Sequence, residues 1–202
     1  MRSDPRFFKL IEEFPELAND EITIEKELYA HFGLLFFSFA LVEHSLINFV
    51  VFDAAGQGLQ NRTIRNRTEW EAAFDQNYEK AKSLSLGNLI RATKDIPELV
   101  PVSSSLTKMK TERDYFAHHF FRDEAIYFRG DDRGWLLLLK LNEVRQRTVK
   151  LENQLKPQFE LMCGRYGLPR PTADQLAQIL NEYENDISMA VAQGNVQFGW
   201  ES

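Results

Sequence analysis

The sequence predicts an all-α helical bundle. Three observations lead there: apolar residues recur at spacings of three and four through several long segments, capping boxes open two of these segments, and strand-like patterning is confined to one short stretch. At 202 residues the chain is long enough to bury a substantial core, and it is expected to form one domain spanning 1–202. Within it the expected parts are a core over 20–122, a small β-hairpin insertion over 125–139 and a C-terminal helical hairpin over 142–193.

Asp4 and Pro5 suit an N-cap and first-turn pair, and Phe7, Phe8, Leu10, Ile11 and Phe14 supply apolar positions for a short helix ending near Pro15. From Ile22 to Ala54 the stripe Leu28, Phe32, Leu35, Phe36, Phe39, Val42, Leu46, Phe49 and Val50 is broadened by Leu34, Phe37, Leu41 and Ile47, which predicts an encircled central helix. Glu43 and His44 fall in its middle, where a charge needs a partner. Ala55-Gly56-Gln57-Gly58 is expected to end it.

A loop with Arg62, Arg65 and Arg67 follows, the most basic short run in the chain. Thr68-Glu69-Trp70-Glu71 reads as a capping box, and Trp70, Phe74, Tyr78 and Ala81 continue at helical spacing. Ser83 to Gly87 offers an interruption before Leu89, Ile90 and Thr93 resume the pattern, and Pro97 and Pro101 close the section. Leu106 to Arg122 then contains no helix breaker and reads as one helix, with Lys110, Asp114, His118 and Arg122 on one stripe and Met109, Phe116 and Phe120 turned elsewhere.

Ala125–Phe128 and Trp135–Leu139 flank a glycine-bearing turn and suit two short strands. The leucine run does not alternate, so Trp135 can equally begin the following helix. Val144, Thr148, Leu151, Leu155, Phe159, Met162 and Tyr166 draw one stripe along a long helix that Pro157 is placed to kink and Gly167-Leu168-Pro169 stops. A capping box at Thr172–Gln175 opens a last helix, striped by Leu176, Ile179, Leu180, Tyr183, Ile187 and Val191, expected to pair antiparallel with its predecessor.

Composition narrows the function classes. The net charge of −6 provides no global positive field, so any phosphate site has to be local. One cysteine, Cys163, excludes an internal disulfide, and the start shows no charged region followed by an apolar one, so a reducing cytoplasm is the expected compartment. The apolar run Phe32–Val42 is too short to span a bilayer, and no membrane partner is expected. No phosphate-binding glycine loop, nucleophile elbow or zinc-protease motif occurs, and the histidines His31, His44, His118 and His119 lack ligand spacing. Neither a metal nor another cofactor is expected.

What remains is Glu112-Arg113-Asp114-Tyr115-Phe116-Ala117-His118. In an all-helical chain this resembles the HEPN superfamily, helical bundles that include many metal-independent RNases of toxin, defence and RNA-processing systems. Arg113 matches the family arginine, Asp114 the polar residue after it, and His118 the histidine. The resemblance implies a HEPN-like bundle, a homodimer with composite sites, and an endoribonuclease that leaves 2′,3′-cyclic phosphate ends.

The residue chemistry fits that reaction. An imidazole ionises near neutral pH and can serve as general base or acid, and Arg113 can grip two phosphate oxygens as charge grows on them. Asp114, four residues before His118, can hold the imidazole in one tautomer. His119 and Glu43 are accessory candidates, and Arg62, Arg65, Arg67 and Arg122 are candidates for RNA binding. By helix geometry Arg113 and His118 point roughly 140° apart, so they meet through a long side chain, a helix end or a second subunit. Two readings follow: an RNase of toxin or phage-defence type, with an RNA substrate and an antitoxin or other protein partner, or a non-catalytic HEPN-like module that dimerises or binds a nucleotide or protein.

Overall fold

The computed structural model describes residues 5–18, 24–124 and 131–168, with Asn181, Asn185 and Met189. Among them the architecture is an all-α bundle without strands: α1 (Pro5–Glu13), α2 (Ile24–Gln60), α3 (Arg67–Lys82), α4 (Leu86–Ala92), α5 (Ser103–His118), α6 (Phe120–Glu124) and α7 (Asp131–Arg165), with 3-10 segments at Pro15–Ala18 and Pro97–Val102. The chain divides into two compact units, Met1–Tyr166 and Gly167–Ser202. The first carries all seven helices. In the second, Asn181, Asn185 and Met189 are helical, and the remainder of the expected last helix, with its pairing, lies outside the described residues.

Two long helices organise the first unit, and they run parallel. Three contacts spread along α2 join residues 110 apart: Ile24 lies against Gly134, Phe49 meets Phe159 with ring centroids 5.3 Å apart, and Tyr166, just past α7, covers Gly56. Glycine permits the close approach at both ends, since a Cβ on Gly56 would stand 2.3 Å from the Tyr166 ring and one on Gly134 would stand 2.7 Å from Ile24. Gly56 and Gly58 therefore sit inside α2, which runs on to Gln60, instead of ending it. The Tyr166 ring cannot swing away cheaply, because its hydroxyl donates to Asp53 at 2.7 Å while Arg165 bridges Asp53 and Glu98. Gly56→Ala should thus lower stability by about 1–3 kcal/mol through overpacking, read as a drop in the urea midpoint at unchanged slope. An unchanged midpoint would show that the ring yields.

The predicted stripe is the covered one: Val144, Thr148, Leu151, Leu155, Met162 and Tyr166 are buried, and Phe159 is half-buried against Phe49 and Phe52. The expected second strand, Trp135–Leu139, is instead the start of α7. Leu137, Leu138, Leu139 and Leu141 are all buried, so the unbroken run serves a helix end covered on several sides, which strand alternation could not do. Ala125–Phe128 lies outside the described residues. Pro157 sits on the exposed side of α7, where the carbonyl it leaves unpaired can turn to water, and the helix continues through it. Gly167, at φ +65°, makes the left-handed stop.

By length and composition α2 could also cross a membrane, which the shorter Phe32–Val42 run did not suggest. In this fold its Leu28, Leu35, Val42, Leu46 and Val51 are completely enclosed by the other helices. The cap of α3 falls two residues earlier than expected: Asn66 accepts from the Glu69 amide at 2.9 Å, and the Glu69 carboxylate turns back to the Arg65 amide at 2.6 Å.

His31 is the buried polar oddity of the core. Its ring is 2% exposed, lies edge-on to Phe14 at 4.5 Å, and its Nδ1 has no hydrogen-bond partner among the described residues. Burial first, and Arg145 second, push its pKa below the ordinary histidine value, against the weaker opposing pull of Glu16 and Glu13. The unfolded chain therefore takes up this proton first as pH falls below the ordinary value near 6.5, so His31 costs stability in acid and stability rises with pH through that window. Stability of the wild type should fall between neutral pH and mild acid more steeply than that of His31→Gln. Parallel slopes would remove this assignment.

Candidate functional site at the end of α5

The motif Glu112–His118 occupies the last two turns of α5. Phe116 and Phe120 hold its end against the core: both are buried, their rings are 5.1 Å apart, and Phe120 stacks on Phe32 of α2 at 5.5 Å. The helix expected to run unbroken to Arg122 stops at His118. His119 is its C-cap, with its amide still bonded to the Tyr115 carbonyl at 2.8 Å, and α6 starts afresh at Phe120. His118 is thus the terminal residue of α5, exposed, and its side chain makes no hydrogen bond among the described residues.

Arg113 is half-buried one and a half turns earlier. Its guanidinium approaches Asp114 at 3.5 Å, and the other Asp114 oxygen accepts from Lys110 at 2.5 Å. The Lys110 ammonium holds the Asp114 carboxyl below its ordinary pKa, with burial opposing and Arg113 adding to the effect. Asp114, expected to orient His118, has Lys110 and Arg113 as its hydrogen-bond partners, one turn back from the histidine.

His119 has a partner of its own. Arg122 Nη2 lies 2.7 Å from its Nδ1, which makes Nδ1 the acceptor and leaves the ring proton on Nε2. Arg122 also meets Asp123 at 2.9 Å, so Arg122 does join the motif's end. Arg62, Arg65 and Arg67 do not. Arg62 and Arg65 lie in the α2–α3 turn, past Gln60 and about 42 Å of helix rise from Phe32, and Arg67 opens α3, paired to Glu71 at 2.7 Å. Glu43 lies about 16 Å of rise beyond Phe32 and is half-buried, and it is not brought to His118.

A second group at this end was not legible from the motif. Tyr115 Oη donates to Glu124 Oε1 at 2.7 Å, and Lys140 of α7 donates to the same oxygen at 2.6 Å while standing 4.8 Å over the Tyr115 ring. Burial pushes the Glu124 carboxyl up, but the bonds from Lys140 and Tyr115 outweigh it and leave its pKa lowered. The trio ties α5, α6 and α7 together beside the two histidines. Only the helical pattern of Trp135–Leu139 could have pointed to Lys140, and that run was open to two readings.

No cluster of three His, Cys, Asp or Glu side chains placed to hold a metal occurs among the described residues. The arrangement offers one exposed imidazole, a second that is anchored, and a half-buried guanidinium roughly 140° round the helix from the first. Comparison with family models, with curated proteins and with solved structures finds no match to this chain.

Proposed function

We propose that the chain is a metal-independent endoribonuclease of HEPN-like type acting in the cytoplasm as a homodimer. The observation that carries the reading is His118: a solvent-exposed imidazole at a helix end, unencumbered by internal hydrogen bonds, five residues from Arg113. The reaction is transphosphorylation within RNA. The imidazole takes the proton of a 2′-hydroxyl, the 2′ oxygen bonds to the adjacent phosphorus, and the bond from phosphorus to the 5′ oxygen breaks. A second acid returns a proton to the leaving oxygen, and Arg113 stabilises the charge on the phosphoryl oxygens.

In-line displacement puts base and acid on opposite sides of phosphorus, so His118 of one copy cannot fill both roles in the same step. A second copy supplies the other imidazole. The exposed face of α2 supports such a pairing, because Leu34, Phe37 and Leu41 lie uncovered along it next to the motif's end. The Asp114 contact with Arg113 favours a second reading, a non-catalytic dimerising module in which the motif's charges neutralise one another.

Cleavage of single-stranded RNA in excess EDTA separates the two. The enzyme reading expects 2′,3′-cyclic phosphate and 5′-hydroxyl ends. Products lacking the cyclic phosphate, or no cleavage by the dimer, would overturn it.

A further inference from the structure

Because α5 runs antiparallel to α7, their facing side chains form a seam leading to the motif. Along it Lys108 and Lys150 line the same stretch, Glu112 meets Arg147 at 2.7 Å, and Tyr115 meets Lys140. Between the first two levels the seam opens into a groove of about 270 Å³, floored by the buried Met109 and Leu151.

Its charges are unevenly spent. Arg147 has Glu112, whereas Lys108 and Lys150 are exposed and make no ion pair among the described residues. Two lysines without an ion pair among the described residues thus line one groove over an apolar floor, in a chain whose net charge is −6. From Lys108 to His118 the distance along α5 is about 15 Å, the reach of a short run of nucleotides.

We propose that this groove binds the backbone of single-stranded RNA, with Lys108 and Lys150 on phosphates and a base lying on Met109 and Leu151. The proposal deepens the RNase reading and rests on it for the identity of the strand. Ammonium groups read phosphate charge without base identity, so binding there is independent of sequence and dependent on salt.

The test measures fluorescence anisotropy of a short labelled oligoribonucleotide against Lys108→Gln/Lys150→Gln and against Arg62→Gln/Arg67→Gln, which removes the same charge at the far end of α2. The groove pair should lose about tenfold in affinity, and the slope of log affinity against log salt should shrink by about 1.4, two single-strand phosphate contacts. The control pair should stay within about twofold of wild type under the same salt-dependent law.

Equal losses in both pairs, no loss in the groove pair, or no RNA binding by wild type would overturn the proposal. So would a glutamate-rich peptide of equal charge that binds as tightly as the RNA. Wild type that binds through the groove but never cleaves would leave the groove standing and remove the RNase reading. Cleavage with an unchanged KM in the groove pair would do the reverse.

Discussion

His118→Ala should abolish most RNA cleavage, lowering the rate by roughly 10²–10⁴-fold, the usual contribution of a general acid or base. The substitution is a clean one. His118 is exposed at the end of α5 and its side chain holds no hydrogen bond among the described residues, so its loss should leave the thermal midpoint and RNA affinity where they were. Arg113→Lys should also lose activity, because an ammonium cannot reproduce the forked contact with two phosphate oxygens. Asp114→Asn should change the rate by less than about tenfold, since its carboxylate serves Lys110 and Arg113 and not the imidazole. Initial rates on a labelled single-stranded RNA in EDTA decide the matter. Cleavage that survives His118→Ala would remove the assignment.

The parts legible in the sequence are those where local spacing and burial coincide. The stripe from Val144 to Tyr166 predicted a face of α7 that is buried except at the half-covered Phe159, and the stripe of Ile22–Ala54 predicted a long central helix. That helix is not encircled as expected, because Leu34, Phe37 and Leu41 leave one side of it uncovered. Errors arose where one local signal had two physical solutions. Gly56 looks like a helix stop and is a contact surface for Tyr166, because glycine serves both by lacking a Cβ. Asn66 and Thr68 each stand three residues before a glutamate, and only the packing of α3 selects Asn66 as the cap. Trp135–Leu139 suits either a strand or the covered start of a helix.

The candidate site stood out in the sequence as a motif, and its neighbourhood did not. Nothing between Leu106 and Arg122 announces the break at His119, which contains neither glycine nor proline; it follows from Phe120 turning into the core against Phe32. Lys140, Arg147 and Lys150 lie 22 residues or more past His118 in sequence, and their approach to α5 is a consequence of its antiparallel course along α7. The arginines that stood out, Arg62, Arg65 and Arg67, are clustered by sequence alone and end up remote from the motif.

Phe37→Glu should convert a dimer into a monomer and remove the cleavage activity with it. Phe37 is 62% exposed at the centre of a helical face made of Ala30, Gly33, Leu34, Phe37, Ala40 and Leu41, with no Asp, Glu, Lys or Arg between Glu27 and Glu43. Tyr29 and Phe121 extend this face to the motif's end, their rings stacked 6.0 Å apart. Together the exposed rings and leucines offer roughly 400 Å² of apolar surface, about half of one partner's share of a standard interface.

The pattern is complementary to itself. A two-fold axis through Phe37 sets Gly33 opposite Leu41, Leu34 opposite Ala40 and Ala30 opposite His44, so a small residue meets each large one. The two Phe32 residues, and the motif ends packed on them, then stand about 15 Å apart along the helix axis, close enough to share one strand of RNA. A glutamate on the axis would face its own copy, and like charges buried together cost several kcal/mol. The exposed ring carries little of the monomer's stability, so the fold should persist. Leu161→Glu, at an equally exposed apolar residue of α7, should leave the dimer intact. Sedimentation at micromolar concentration reads the outcome. A monomeric wild type, or a Phe37→Glu protein that remains dimeric, would place the composite site out of reach.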